Sequence, residues 1–103
     1  MDLDEVAAML RHSGLPVAYN QWPPGRAPDL PFICYRFVGS NNLHADGGVY
    51  YSGSSIEAEL FTRVKDTAVE ARVEQALTDI HWEKSEDFIE SQQCFRILYE
   101  IEV

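Results

Sequence analysis

The sequence predicts an α+β fold: a single antiparallel (mixed) sheet of about five to six strands with two helices packed on one face. Three observations predict it. Phe95, Ile97, Tyr99, Ile101 and Val103 recur at strict two-residue spacing after an alternating acidic segment, which is the pattern of a hairpin with one buried face. A helical stripe (Val69, Val73, Ala76, Leu77, Ile80) runs directly into that hairpin. Two further apolar runs, 32–38 and 56–63, flank a stretch rich in Gly, Asn and Ser.

In chain order, 2–12 reads as a first helix. Leu3, Val6, Ala7 and Leu10 follow the i, i+3, i+4, i+7 rule. Asp2, Asp4 and Glu5 stand where carboxylates complement the helix dipole, and Gly14 is placed to end the helix. Residues 15–20 form a short strand that Pro16 confines to a strand start or an edge. Four of the five prolines fall within 22–31, so that segment is a loop, anchored by Trp22 and Leu30. Phe32–Val38 is an aromatic, β-branched strand. A hairpin near 39–51 protrudes from it, with Asp46-Gly47 as the turn signal and 49–51 as the return. A second break is expected at Ser52–Ser55. The strand 56–63 then places Ile56, Ala58 and Leu60 on one face and Glu57, Glu59 and Phe61 on the other. Asp66 caps the second helix, 67–80, on which Glu70 and Glu74 share an exposed side. The element order is α-β-β-β-β-α-β-β, in one domain, 1–103.

Seventeen acidic against eight basic residues give a formal charge of −9. Such a surface repels phosphate backbones and anionic lipid, which argues against sequence-reading DNA binding and disfavours membrane docking. No apolar run approaches twenty residues. The opening Met-Asp-Leu-Asp-Glu carries acids where a secretory signal carries lysines, so the expected compartment is cytoplasmic. Cys34 and Cys94 read as reduced thiols in or near the core.

Motifs for bond-making chemistry do not stand out. His12, His44 and His81 have no metal-ligand spacing, and no Gly-x-Ser-x-Gly elbow or phosphate loop occurs. The expectation is no enzyme, no metal and no cofactor. Two features point instead to contacts with other molecules. Trp22, Asn41, Asn42, Leu43, His44, Asp46, Tyr50 and Tyr51 lie in or beside loops, where aromatic side chains are enriched in interfaces. They are the candidate subunit or partner interface. Glu57, Glu59, Glu83, Glu86, Asp87 and Glu90 are the candidate acidic face.

The phrases Pro31–Phe37, Asn41–Gly47, Ile56–Thr62, Lys65-Asp66, Glu83–Ser91 and Tyr99–Glu102, in this order, resemble small proteins encoded in the tail modules of long-tailed phages and prophages of Gram-positive bacteria. These are similar in size and element order to tail terminator, or tail-completion, proteins. Phe61 stands where such a chain has tyrosine, and Gln92-Gln93-Cys94 replaces a more charged turn. The resemblance implies a structural assembly protein: a homo-oligomeric ring, usually a hexamer, between the tail tube protein and the head–tail connector or stopper. DNA would be passing cargo only, repelled by an acidic lumen. The protein would sit in the host cytoplasm during assembly and then in the virion tail. The alternatives are another head–tail joining or minor tail component, or a small ligand- or protein-binding regulatory domain.

Overall fold

In the computed structural model, which describes residues 1–45 and 48–103 (the side chains of 41–45 and 48–52 excepted), one five-stranded mixed sheet carries two helices. The order is α1 (Leu3–Arg11), β1 (Val17–Tyr19), β2 (Phe32–Ala45), β3 (Gly48–Thr62), α2 (Thr67–Ala76), β4 (His81–Ile89) and β5 (Cys94–Glu102). Across the sheet the strands run β1-β2-β3-β5-β4. All neighbours are antiparallel except β1 and β2. This is the α+β class that the hydrophobic periods imply.

Each helix starts where its sequence provides a cap. Asp2 Oδ1 accepts from Glu5 N at 2.8 Å, and Glu5 Oε1 accepts from Asp2 N at 3.1 Å, a reciprocal capping box. The acidic cluster at the N-terminus of α1 thus has a local cause. Asp66 Oδ1 accepts from Val69 N at 3.2 Å to open α2. That helix ends at Ala76, four residues before the apolar stripe does. Thr78 Oγ1 turns back to Gln75 O at 2.6 Å, and Leu77 N reaches both Val73 O and Glu74 O. A hydroxyl competing for the last carbonyls closes the helix in a tight turn.

The core lies between the helices and one face of the sheet. Ile33 and Tyr35 of β2, Ile56, Ala58 and Leu60 of β3, and Ile97, Tyr99 and Ile101 of β5 meet Val6, Ala7 and Leu10 of α1 and Val69 and Val73 of α2. Register aligns them in rows: Ile33, Leu60 and Ile97 stand side by side, as do Tyr35, Ala58 and Tyr99. The alternation in 56–61 and 95–103 is therefore the buried face that it announces.

The expected break at Ser52–Ser55 is absent, and 48–62 is one strand. Its neighbours explain this. Ser54 exchanges both backbone hydrogen bonds with Val103, at 2.8 and 2.9 Å, and Ser55 Oγ donates to the Glu102 carboxylate at 2.9 Å. Small polar residues break an isolated strand, but Ser54 and Ser55 are held with strands on both sides, and Ser52 and Gly53 continue the pairing with Asn42 and Asn41 of β2. Strand β1 is shorter than 15–20 because Pro16 cannot join the ladder as a donor; its carbonyl accepts from Ile33 N at 2.9 Å instead.

Beyond the Ser54–Val103 pair, β2 and β3 continue as a two-stranded ribbon. It is paired from Asn41 with Gly53 to Ala45 with Gly48. The Asp46-Gly47 turn lies outside the described residues. The ribbon lengthens the molecule to 50 × 28 × 24 Å. The radius of gyration is 14.8 Å, against about 13 Å for a compact chain of this size. At the far side of the sheet, β4 is an edge strand with mostly exposed side chains.

Candidate functional site

The sheet face turned away from the helices carries most of the charge. Strand alternation puts Glu57, Glu59 and Phe61 of β3 there, with Arg36 and Cys34 of β2, Arg96 and Glu100 of β5, and Glu83 and Asp87 of β4. One row crosses four strands as Arg36, Glu57, Glu100 and Glu83. Arg36 donates to Glu57 Oε1 from Nη2 at 2.8 Å and from Nε at 3.0 Å. Arg96 Nε lies 3.0 Å from Glu59 Oε2, and its Nη1 lies 3.8 Å from Asp87. Counting Glu102, the described face holds six carboxylates against two guanidiniums, so two ion pairs leave it acidic.

Four of the six candidate acids therefore share a face: Glu57, Glu59, Glu83 and Asp87. Glu86 does not. It is one step out of phase on β4 and points to the helix side, where Lys65 Nζ donates to it at 2.6 Å. Glu90 lies in the β4–β5 turn, exposed at the end of the sheet.

On that helix side lies a cluster the sequence reading missed. Glu70 is 2% exposed. Lys65 Nζ approaches its Oε2 at 2.7 Å, and Lys84 Nζ its Oε1 at 3.1 Å. Lys84 also donates to Glu74 Oε2 at 2.7 Å, which accepts from the Tyr99 hydroxyl at 2.8 Å as well. Glu70 and Glu74 are thus not on an exposed side. Burial alone would raise the Glu70 pKa, but the two ammonium groups outweigh it and hold it below the usual value. For Tyr99, burial first and the bond to Glu74 second push the phenol up. The cluster fastens α2 to β4 and β5. The only sequence signal was that α2 carries two acids while β4 carries a lone lysine, Lys84, among acids.

The proline-rich loop folds over the lower part of the acidic face. The rings of Trp22 and Phe32 meet edge to face at 5.8 Å, and Phe32 lies 5.4 Å from Phe61. Below them is a cleft of about 400 Å³ lined by Trp22, Leu30, Phe32, Phe61, Cys34 and Cys94 together with amide side chains. Both cysteines are free and buried. Burial, then the Glu59 charge, raise the Cys34 pKa to about 11. At neutral pH it is a thiol, a poor nucleophile. Among the described residues, no three His, Cys, Asp or Glu side chains gather in a way that holds a metal ion.

Of the interface candidates, Trp22 is half-buried against Phe32. Asn41, Asn42, Leu43, His44, Tyr50 and Tyr51 fall on the ribbon, where only their backbone is described, and Asp46 lies outside the described residues. No helix among the described residues is long and apolar enough to cross a membrane. No protein-family model matches the chain, and no curated protein gives a significant match.

Proposed function

We propose that this chain is a structural assembly protein of a phage or prophage tail. Copies of it would form a ring, as a tail terminator does between tail tube and head connector. The observation that carries the reading is the ribbon 41–53. Two strands without a third are marginal in water, and this pair leaves the sheet just past the Ser54–Val103 backbone bonds. A segment of that kind gains its stability from a neighbour: another copy or the tube. The acidic sheet face supports the same reading, because fixed carboxylates repel phosphates and would let DNA pass without sticking. The tail role itself rests on the sequence resemblance.

The test is mass photometry of the purified protein across concentrations, alone and with its tail tube protein, beside a variant lacking 41–47. Rings in the wild type and their loss in the variant, with an unchanged circular dichroism spectrum, are expected. Rings in both would show that the ribbon is not the contact. A wild type that stays monomeric with and without tube would refute the proposal.

One observation favours a second reading, a small ligand-binding domain. Trp22 Nε1 is buried beside the cleft with no acceptor among the described residues. Saturable quenching of tryptophan fluorescence by a small apolar acceptor compound, lost in Trp22→Phe, would move the balance to it.

A further inference from the structure

The large apolar side chains left exposed among the described residues fall into two groups, apart from Val38, which lines a depression with Glu57, Glu100 and Glu102. Leu3, Tyr19 and Phe37, with Met1, make one of them. Its members are joined by contacts: the Tyr35 hydroxyl donates to Leu3 O at 3.4 Å, the rings of Tyr19 and Tyr35 meet at 5.2 Å, and Phe37 N donates to the Tyr19 hydroxyl at 3.3 Å. Val64 and Phe88 make the other group. Phe88 pairs with Phe95, which pairs with Thr62, so both residues sit where β3 ends. Phe37 pairs with Ile56, six residues before Thr62, the last residue of β3. The two groups are therefore about 20 Å apart, at opposite ends of the sheet.

Their charges are opposite as well. The first group surrounds a shallow depression lined by Met1, Leu3 and Phe37 together with Asp2 and Asp4. Asp2 is committed to the helix cap, while Asp4 is exposed. In the second group, Arg63 is exposed beside Val64 and makes no ion pair among the described residues. The first patch also adjoins backbone without a strand beside it: β1 stops at Tyr19, opposite Tyr35, and the Tyr19 hydroxyl takes the Phe37 N–H, so among the described residues no strand borders the outer edge of β2 beyond Phe37. Scattered single apolar residues on a surface are ordinary. What the two groups offer each other is one pair of exposed opposite charges beside apolar side chains: Asp4 at the first and Arg63 at the second, although Asp87 and Glu90 flank Phe88.

We infer that the occupant of the Leu3–Phe37 patch is a second copy of this chain, whose Arg63–Val64 corner docks there with Arg63 against Asp4. The contact is heterologous, head to tail, and such contacts close into rings when the rotation between copies divides the circle. The inference rests on the ring reading above and names a second pair of surfaces that join copies in the ring, besides the ribbon.

The experiment measures self-association by sedimentation velocity and mass photometry for the wild type, Phe37→Asp, Val64→Asp, Asp4→Arg, Arg63→Glu and the double variant Asp4→Arg/Arg63→Glu. All four positions are solvent-facing, so thermal melts serve as the folding control. Each single variant is expected to weaken association about tenfold or more, and the double charge swap to restore it to near the wild-type level. Single variants that associate like the wild type would overturn this interface while leaving ring formation standing. So would a double variant no better than its parents. A wild type that is monomeric at every concentration, with and without tail tube, would overturn both the interface and the function proposed above.

Discussion

Replacing Tyr99 by phenylalanine isolates what the buried polar cluster contributes. Tyr99 is fully buried on β5, and its hydroxyl is the only group removed. The ring keeps its edge-to-face contact with Trp82, at 5.6 Å and 71°. The lost bond is to the Glu74 carboxylate at 2.8 Å. Hydrogen bonds to charged groups contribute about 1.5–3 kcal/mol. The Glu74 side chain is 25% exposed and keeps Lys84 at 2.7 Å, so water replaces part of what is removed. The lower end, about 1.5 kcal/mol, is therefore expected, a drop in Tm of about 6–10 °C for a domain of this length. Urea unfolding followed by circular dichroism measures it. A double-mutant cycle with Glu74→Gln isolates the pairwise part, which should be about 1 kcal/mol. The pH profile adds an independent check. The folded phenol is raised above its ordinary value of 10.0, so its contribution is intact below pH 10 and is lost as pH rises beyond. The variant should lack that alkaline decline. A loss below about 0.5 kcal/mol together with a coupling near zero would show that the hydroxyl does not support the fold.

Three further outcomes follow from the same structure. Glu70 is held below its ordinary value of 4.5, so its contribution is present above that pH and lost as pH falls through the depressed folded value; Glu70→Gln should be less stable than wild type at pH 7 and should show a flatter Tm profile from pH 5 to 2. Gly14 has φ +81°, and a Cβ there would lie 2.7 Å from Arg72 Nη2, whose Nε donates to Ser13 O; Gly14→Ala should cost about 1–2 kcal/mol by chemical denaturation, mostly from the left-handed backbone. Native protein should react slowly with a thiol reagent at pH 8, and both thiols should titrate quickly in denaturant; rapid native reaction of Cys34 would contradict its burial and its raised pKa.

How much of this was legible in the sequence depended on whether one strand or helix sufficed to decide it. The alternation at 56–61 and 95–103 and the capping acids Asp2 and Asp66 are local signals, and each gave the face or the boundary it announces. What local signals missed was set by neighbours distant in the chain. Ser52–Ser55 reads as a break until Val103 and Glu102 lie beside it. Glu70 and Glu74 read as a solvated pair until α2 settles over Lys84 of β4. Glu86 reads as one more acid in a row, although its parity sets it opposite Glu83 and Asp87. The acidic face was visible as composition, but Arg36 and Arg96 threading through it depend on register, which one sequence does not print.

Strand β4 has an implication for any crowded arrangement of these molecules. Strand β4, His81–Ile89, pairs with β5 on one side and among the described residues has no strand on the other, and such a border invites a foreign strand to zip on. Its side chains counter that. Glu83, Glu86 and Asp87 give the strip a surplus of negative charge, and two identical strips brought together would meet acid against acid. Copies held shoulder to shoulder at high local concentration would stay discrete bodies and not fuse into an endless ladder.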